Sequence, residues 1–213
     1  MIVIIAVLLI MLSYMYGCFS TARIVAKSAR SLNIYKVGTG LSDTENIYTN
    51  ISKSLGILVG ALDVVKSYVY LLVVEFALRA FSARVFPELE PLYSHNIMLL
   101  YGLGMLAGHC LPLTNKFRGG RGIFTYMGFV AYFAFLPMLI TTILAWILVV
   151  RFRQIRFAQY LIVILPVVLF QALYFFMPSV RYDLPPYFIT IMWGNALVMG
   201  ILNFLVSKRL GEI

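Results

Sequence analysis

The stretch GHCLPLTNKFRGGRG, residues 108–122, sets Lys116, Arg118 and Arg121 around two adjacent glycines. Gly119, Gly120 and Gly122 let the backbone come close to an anion. The apolar segment that starts near Ile123 would aim its N-terminal amides at the same place. Backbone amides, a helix N-terminus and guanidinium groups together suit a phosphate. A tight basic loop lying against anionic lipid headgroups is the other reading that the spacing leaves open. His109, at the end of the preceding apolar segment, reads as a packed or hydrogen-bonded histidine. Neither a Ser-His-Asp arrangement nor an HxxxxD motif accompanies it. No metal cluster stands out either, and no cofactor is expected.

Two further sets of residues could share that chemistry. KVGTGLSDTENIYTN, residues 36–50, carries Gly38, Thr39 and Gly40, followed by hydroxyls, Asp43, Glu45 and Asn46. In LDVVK, residues 62–66, Asp63 and Lys66 stand three apart, on one face of a helix, where they can pair. Ionisable residues inside an apolar segment are costly and face a bundle interior or a wet cavity. The pair is thus a structural ion pair or one wall of a polar site. Glu75 and Arg79, one turn apart further on, read as an interfacial pair.

The elements that must hold these residues are membrane helices. Of 213 residues, 62% are hydrophobic and 12% charged, whereas soluble domains are roughly 45–50% apolar and about 25% charged. Hydropathy places apolar spans near 2–22, 55–80, 95–114, 123–150, 159–177 and 186–206. The net charge of +9 then reflects loops on one membrane face and points to no nucleic acid. Cys18 and Cys110 lie in or beside spans without metal-ligand spacing, so no disulfide framework follows. The first span lacks the basic leader of a cleaved signal peptide, and a lipoprotein reading of MYGC at Cys18 is weak.

The fourth span is awkward. As one helix it would measure about 42 Å against a hydrocarbon core of ~30 Å, with Pro137 at its centre. A single tilted crossing would put Arg151, Arg153 and Arg156 opposite Lys116, Arg118 and Arg121. Two helices broken near Pro137 would put both clusters on one side, with Lys27, Arg30, Lys36, Lys53, Lys208 and Arg209. The other side would keep Arg84, Arg181 and, at a span end, Arg79. The positive-inside rule prefers the second arrangement. The expectation is an all-α polytopic membrane bundle, one domain over 1–213, with seven helical segments. Its N-terminus lies outside and its C-terminus in the cytoplasm.

The motifs resemble those of the bacterial acyl-phosphate:glycerol-3-phosphate acyltransferases, the PlsY family, over nearly the whole chain. The family's GHxxPxxxxFxGGKG pattern is matched by Gly108, His109, Pro112, Phe117, Gly119, Gly120 and Gly122, with Arg121 at the lysine position. Of its GSGNxGATNxxR motif, Gly38, Gly40 and Asn46 remain, Thr39 keeps the hydroxyl, and Leu41, Glu45 and Thr49 depart. Asp63 and Lys66 represent DxxKG, with Ser67 for glycine. Gly17, Ala26 and Lys27 suit the N-terminal GSxPxxxxxAK-like stretch, with Cys18 and Ser20 substituted. The serine pair after the fifth helix falls at Ile155 and Ala158. Of the C-terminal motif, Lys208, Arg209, Gly211 and Glu212 fit the end.

The resemblance implies transfer of a fatty acyl group from acyl-phosphate to glycerol 3-phosphate, giving lysophosphatidic acid at the cytoplasmic face of a bacterial inner membrane. It would place Arg121, Lys66 and Asn46 at the reacting groups. Thr39, Gly40, His109, Lys116, Arg118, Gly119, Gly120, Gly122 and Asp63 would bind substrate. Membrane lipids are the expected surroundings. The alternative is a degenerate member that serves as a membrane scaffold or partner subunit. A transporter is the third reading, opposed by the lack of an inverted repeat.

Overall fold

The computed structural model describes residues 1–211, the side chains of Arg181 and Tyr182 excepted. Those residues form helices and turns without a strand. In chain order the helices are α1 (Ile2–Gly17), α2 (Thr21–Arg30), α3 (Thr44–Asn50), α4 (Lys53–Arg84), α5 (His95–Cys110), α6 (Ile123–Phe133), α7 (Phe135–Phe152), α8 (Ile155–Phe176), α9 (Pro178–Tyr182) and α10 (Phe188–Arg209). Six stretches are long and apolar enough to cross a membrane. Their outer faces carry exposed Ile4, Phe76, Trp146, Phe176 and Leu197, as expected of side chains that meet lipid tails rather than water.

The first span is shorter than hydropathy suggests. α1 stops at Gly17, and Ser20 starts α2 afresh, its hydroxyl accepting from the Arg23 amide at 3.1 Å. The polar insertion after Lys27 is built the same way. Asp43 caps α3, accepting from the Asn46 amide at 2.9 Å, and Ser52 caps α4. Such short polar residues satisfy amides that a helix start leaves without partners.

The long apolar segment after Gly122 does break. α6 ends at Phe133, Ala134 leaves helical geometry, and α7 begins at Phe135. Pro137 thus falls in the first turn of α7, where its missing N–H costs no helical bond. At about 1.5 Å per residue the eleven residues of α6 rise only ~16 Å. α6 lies against α4, and a side chain at Gly128 would place its Cβ 2.1 Å from the Val64 carbonyl oxygen. Only glycine allows backbones to approach so closely.

One end of the bundle gathers the polar residues. The last turn of α1 reaches there, the Tyr14 hydroxyl donating to the Leu111 carbonyl at 2.6 Å. Arg121 before α6, Arg156 in α8 and Ser207 in α10 meet at this same end. The two basic clusters that flank α6 and α7 therefore share a side, as the charge argument required. At the opposite end the Asn96 side chain of α5 donates to the Pro186 carbonyl before α10 at 2.9 Å. The Glu75–Arg79 pair also lies towards that end, held at 2.7 Å, with the Tyr132 hydroxyl donating to Glu75. Tyr101, Tyr126, Phe129 and Phe188 form the dry centre between the two ends.

Candidate active site

The loop from Cys110 to Gly122 folds back on the end of α5. The Gly119 amide donates to the Cys110 carbonyl and the Gly120 amide to the His109 carbonyl, each at 3.2 Å. A Cβ at Gly119 would stand 2.1 Å from the His109 carbonyl oxygen, so this hairpin closes only with glycine there. The outer part of the loop is pinned by Asn115, which donates to the Arg118 carbonyl at 2.6 Å, and by Arg209, which donates to the Phe117 carbonyl at 3.2 Å.

Closure turns Arg121 inward, leaving the residue 3% exposed. Its amide donates to Asp43 Oδ2 at 3.4 Å, and Nη1 donates to the Ser207 hydroxyl at 3.0 Å. Its Nε lies 3.2 Å from Glu45 Oε2. The same carboxylate oxygen accepts from the Gln159 amide at 3.0 Å and stands 3.6 Å from Arg156 Nη1. Arg156 Nη1 also donates to Gln159 Oε1 at 3.1 Å. A buried arginine must be paired in this way, because an uncompensated charge in a low-dielectric setting is costly.

Behind Glu45, Asn46 ties the 36–43 loop together. Its Oδ1 accepts from the Thr39 amide (3.2 Å) and from Asn50 (2.9 Å). Its Nδ2 donates to the Val37 (3.0 Å) and Leu41 (2.8 Å) carbonyls. Asp43, 5% exposed, is held between this loop and the Gly120–Arg121 backbone. Burial pushes its carboxyl up to about 6, with Glu45 adding to the rise and the Asn46 amide and Arg121 opposing it.

The third wall is α4. Asp63, 2% exposed, lies 3.3 Å from Lys66 Nζ and accepts from the Thr21 hydroxyl. Lys66 Nζ also donates to the Phe19 carbonyl at 2.8 Å, so the pair bridges α4 to the start of α2. His109 is 5% exposed, and its Nδ1 finds no hydrogen-bond partner among the described residues. Asp43, Glu45, Asp63, His109, Arg121 and Gln159 line a cleft of about 30 Å³, room for roughly one water. Among the described residues, no group of histidine, cysteine and acidic side chains is placed to hold a metal ion.

Of the residues expected from the sequence, Arg121, Asp63, His109 and Gly122 line this cleft. Gly119 and Gly120 shape its loop, and Lys66 sits beside Asp63. Asn46 stands one layer back, its amide committed to the loop. Thr39 and Gly40 belong to that loop and do not line the cleft, while Lys116 and Arg118 are exposed on the outer bend. Glu212 lies outside the described residues. Thr44, Gln159 and Ser207 join the site without having been singled out. The signal available for Gln159 was a polar residue one turn after Arg156 at the start of an otherwise apolar helix.

The glycerol-3-phosphate acyltransferase family model matches residues 7–208. A glycerol-3-phosphate acyltransferase of Lactobacillus acidophilus is 31% identical over 138 residues, 65% of this chain and 60% of that protein. One from Mycoplasma mobile is 25% identical over 73% of this chain and 61% of its own length. One from Bartonella henselae is 26% identical over 75% and 71%. The chain thus spans about three-fifths of the length of the first two relatives. Among solved structures, the glycerol 3-phosphate form of PlsY, an integral membrane glycerol 3-phosphate acyltransferase, superposes with a TM-score of 0.68. That match covers 96% of this chain and 88% of PlsY at 20% identity, a likeness of fold.

Proposed function

We infer the reaction from one premise: the chain belongs to the glycerol-3-phosphate acyltransferase family, whose model covers residues 7–208. It is a multi-pass membrane protein with six helical stretches able to span. The reaction proposed is transfer of a fatty acyl group from acyl-phosphate to the 1-hydroxyl of glycerol 3-phosphate, giving lysophosphatidic acid. The hydroxyl oxygen bonds to the carbonyl carbon, the bond from that carbon to the phosphate oxygen breaks, and the hydroxyl proton leaves with inorganic phosphate. A mixed anhydride already carries a good leaving group, so the protein needs no nucleophile of its own. Its task is to align two anionic substrates and to stabilise the charge that develops.

The observation that carries this reading is Arg121, turned into a small cleft by a glycine hairpin at the start of α6. There its guanidinium and the first amides of α6 would face a phosphate or an oxyanion together. Lys66 supplies a second cation, oriented by Asp63. Asn46, whose amide is spent on the loop, acts by positioning Asp43 and Glu45 rather than by touching substrate. Gly119, Gly120 and Gly122 shape the seat, and His109 lines it with a buried Nδ1 that has no hydrogen-bond partner among the described residues. Thr39, Gly40, Lys116 and Arg118 would meet substrate only at the approach to the cleft. The family match and the relatives favour this reading over a scaffold without activity.

Every Lys and Arg of the chain except Arg79, Arg84 and Arg181 belongs to segments at the end that holds the cleft. The positive-inside rule makes that end cytoplasmic, with the N-terminus outside, in a bacterial inner membrane. Residues 1–213 act as one integral-membrane domain. The test is phosphate release in detergent from palmitoyl-phosphate, with and without glycerol 3-phosphate. Release should depend on acceptor and fall in Arg121→Ala by about 1.5–3 kcal/mol, roughly ten- to 150-fold. Arg121→Lys should keep part of it. Full activity in a folded Arg121→Ala protein would remove Arg121 from the site.

A further inference from the structure

The cleft already contains an anion of its own. Glu45 Oε2 accepts from Gln159 Nε2 at 3.0 Å, pairs with Arg121 Nε at 3.2 Å and lies 3.6 Å from Arg156 Nη1. One oxygen converging with two guanidinium groups and an amide is the donor set that recognises a phosphate oxygen. The Glu45 side chain is 28% exposed, and it stands at the N-terminal turn of α3, where a long side chain swings without moving backbone. A phosphate entering the cleft, whose cavity is about 30 Å³, would contend with that carboxylate for the same donors.

We propose that Glu45 is a resident occupant of the phosphate seat formed by Arg121, Arg156 and Gln159, and that a phosphate-bearing substrate enters by displacing it. Glu45 thereby sets selectivity. Only a group with more negative charge than one carboxylate, such as a phosphate monoester or an acyl-phosphate, displaces it effectively. Glu45 is also one of the partners that compensate the buried Arg121 charge when substrate is absent. The inference rests on the cleft being a phosphate site and does not require that acyl transfer itself occurs.

The apparent affinity of a ligand is reduced by the fraction of protein whose site is blocked. Glu45→Gln keeps the length and an acceptor oxygen but removes the competing charge. It should tighten phosphate binding on the order of five- to ten-fold. Glu45→Asp, shorter by one methylene, keeps the acid in the first turn of α3 and should tighten binding less. It carries the test should the glutamine variant not fold. Titration of purified protein with glycerol 3-phosphate and, separately, with hexadecylphosphonate tells acceptor from donor. Tightening for the first alone assigns the seat to the acceptor, and for the second alone to the donor. In the Glu45→Gln background, Arg156→Gln should reverse several-fold of the gain. Unchanged or weaker binding of both probes to a folded Glu45 variant overturns the proposal and leaves Glu45 a structural pin. Tightened binding in a protein that shows no acyl transfer leaves the seat standing and removes only the reaction.

Discussion

Replacing Gly119 with alanine tests whether the hairpin is what delivers Arg121. The added Cβ would start 2.1 Å from the His109 carbonyl oxygen and 2.6 Å from that of Cys110. Both are backbone atoms of α5 and cannot swing aside. Ordinary contact begins near 3.4 Å, so the loop must retreat by about 1.3 Å. That retreat breaks the bonds that the Gly119 and Gly120 amides make to Cys110 and His109, for a loss of about 1–3 kcal/mol at 0.5–1.5 kcal/mol each. Arg121 is two residues along and moves with the loop. A misplacement of ~1 Å at a reacting centre costs on the order of a hundred-fold in rate.

The assay is acceptor-dependent phosphate release from palmitoyl-phosphate, read beside the thermal midpoint in detergent. kcat/KM should fall by roughly two orders of magnitude, well beyond what partial unfolding explains at a temperature where the variant is folded. Gly194→Ala in α10 is the control, because nothing lies within 4 Å of the Cβ it would add. It should leave turnover as it is. A Gly119→Ala protein within two-fold of the parent would refute the argument that hairpin closure places the arginine.

Three other outcomes follow from the geometry. Asp43, with its carboxyl pushed up to about 6 from 3.8, binds a proton more tightly folded than unfolded, so its stabilising contribution is complete below pH ~4 and is lost as pH rises through ~6. The loss is about 3 kcal/mol; Asp43→Asn, which keeps the α3 cap, should flatten that part of the thermal midpoint's fall between pH 4 and 6.5, and an unchanged profile would refute it. Gly128→Ala should lower the midpoint by the equivalent of about 1–3 kcal/mol through overpacking against the Val64 carbonyl, and an unshifted midpoint would mean α6 does not bear on α4 that closely. A cysteine at Arg153 should resist an impermeant thiol reagent in intact cells and react in everted vesicles, with little background because Cys18 and Cys110 are buried. Labelling from outside would reverse the proposed orientation.

The sequence carried the spans, the break in the fourth of them and the shared side of the two basic clusters. Each depends on local composition or on a charge sum that no packing detail alters. The break expected near Pro137 falls at Ala134 because proline is tolerated in a first helical turn, so the chain leaves the helix just before it. The i, i+3 pairing of Asp63 and Lys66 was legible for the same local reason. What composition could not reveal was the meeting of Glu45, Arg121, Gln159 and Ser207. These come from four elements far apart in the chain, and their contact depends on how α3, α8 and α10 pack. Nor was Asn46 legible as a tie for its own loop, because a motif match marks a position without saying which way its amide turns.

The shortness of α6 has a consequence for how the protein responds to its host lipid. A helix that crosses fully must tilt or bend when the hydrocarbon layer thickens or thins, and a loop at its end moves accordingly. α6 stops after eleven residues and rests on α4 through the Gly128–Val64 contact. The Arg121 loop therefore takes its depth from two neighbours, α4 through that contact and the end of α5 through the Gly119 and Gly120 amides. Both neighbours are spanning helices, so a change in hydrocarbon thickness reaches the hairpin through their tilt and not through α6 itself. For a protein whose proposed product feeds that same membrane, the composition of the lipid thereby bears on the site through α4 and α5.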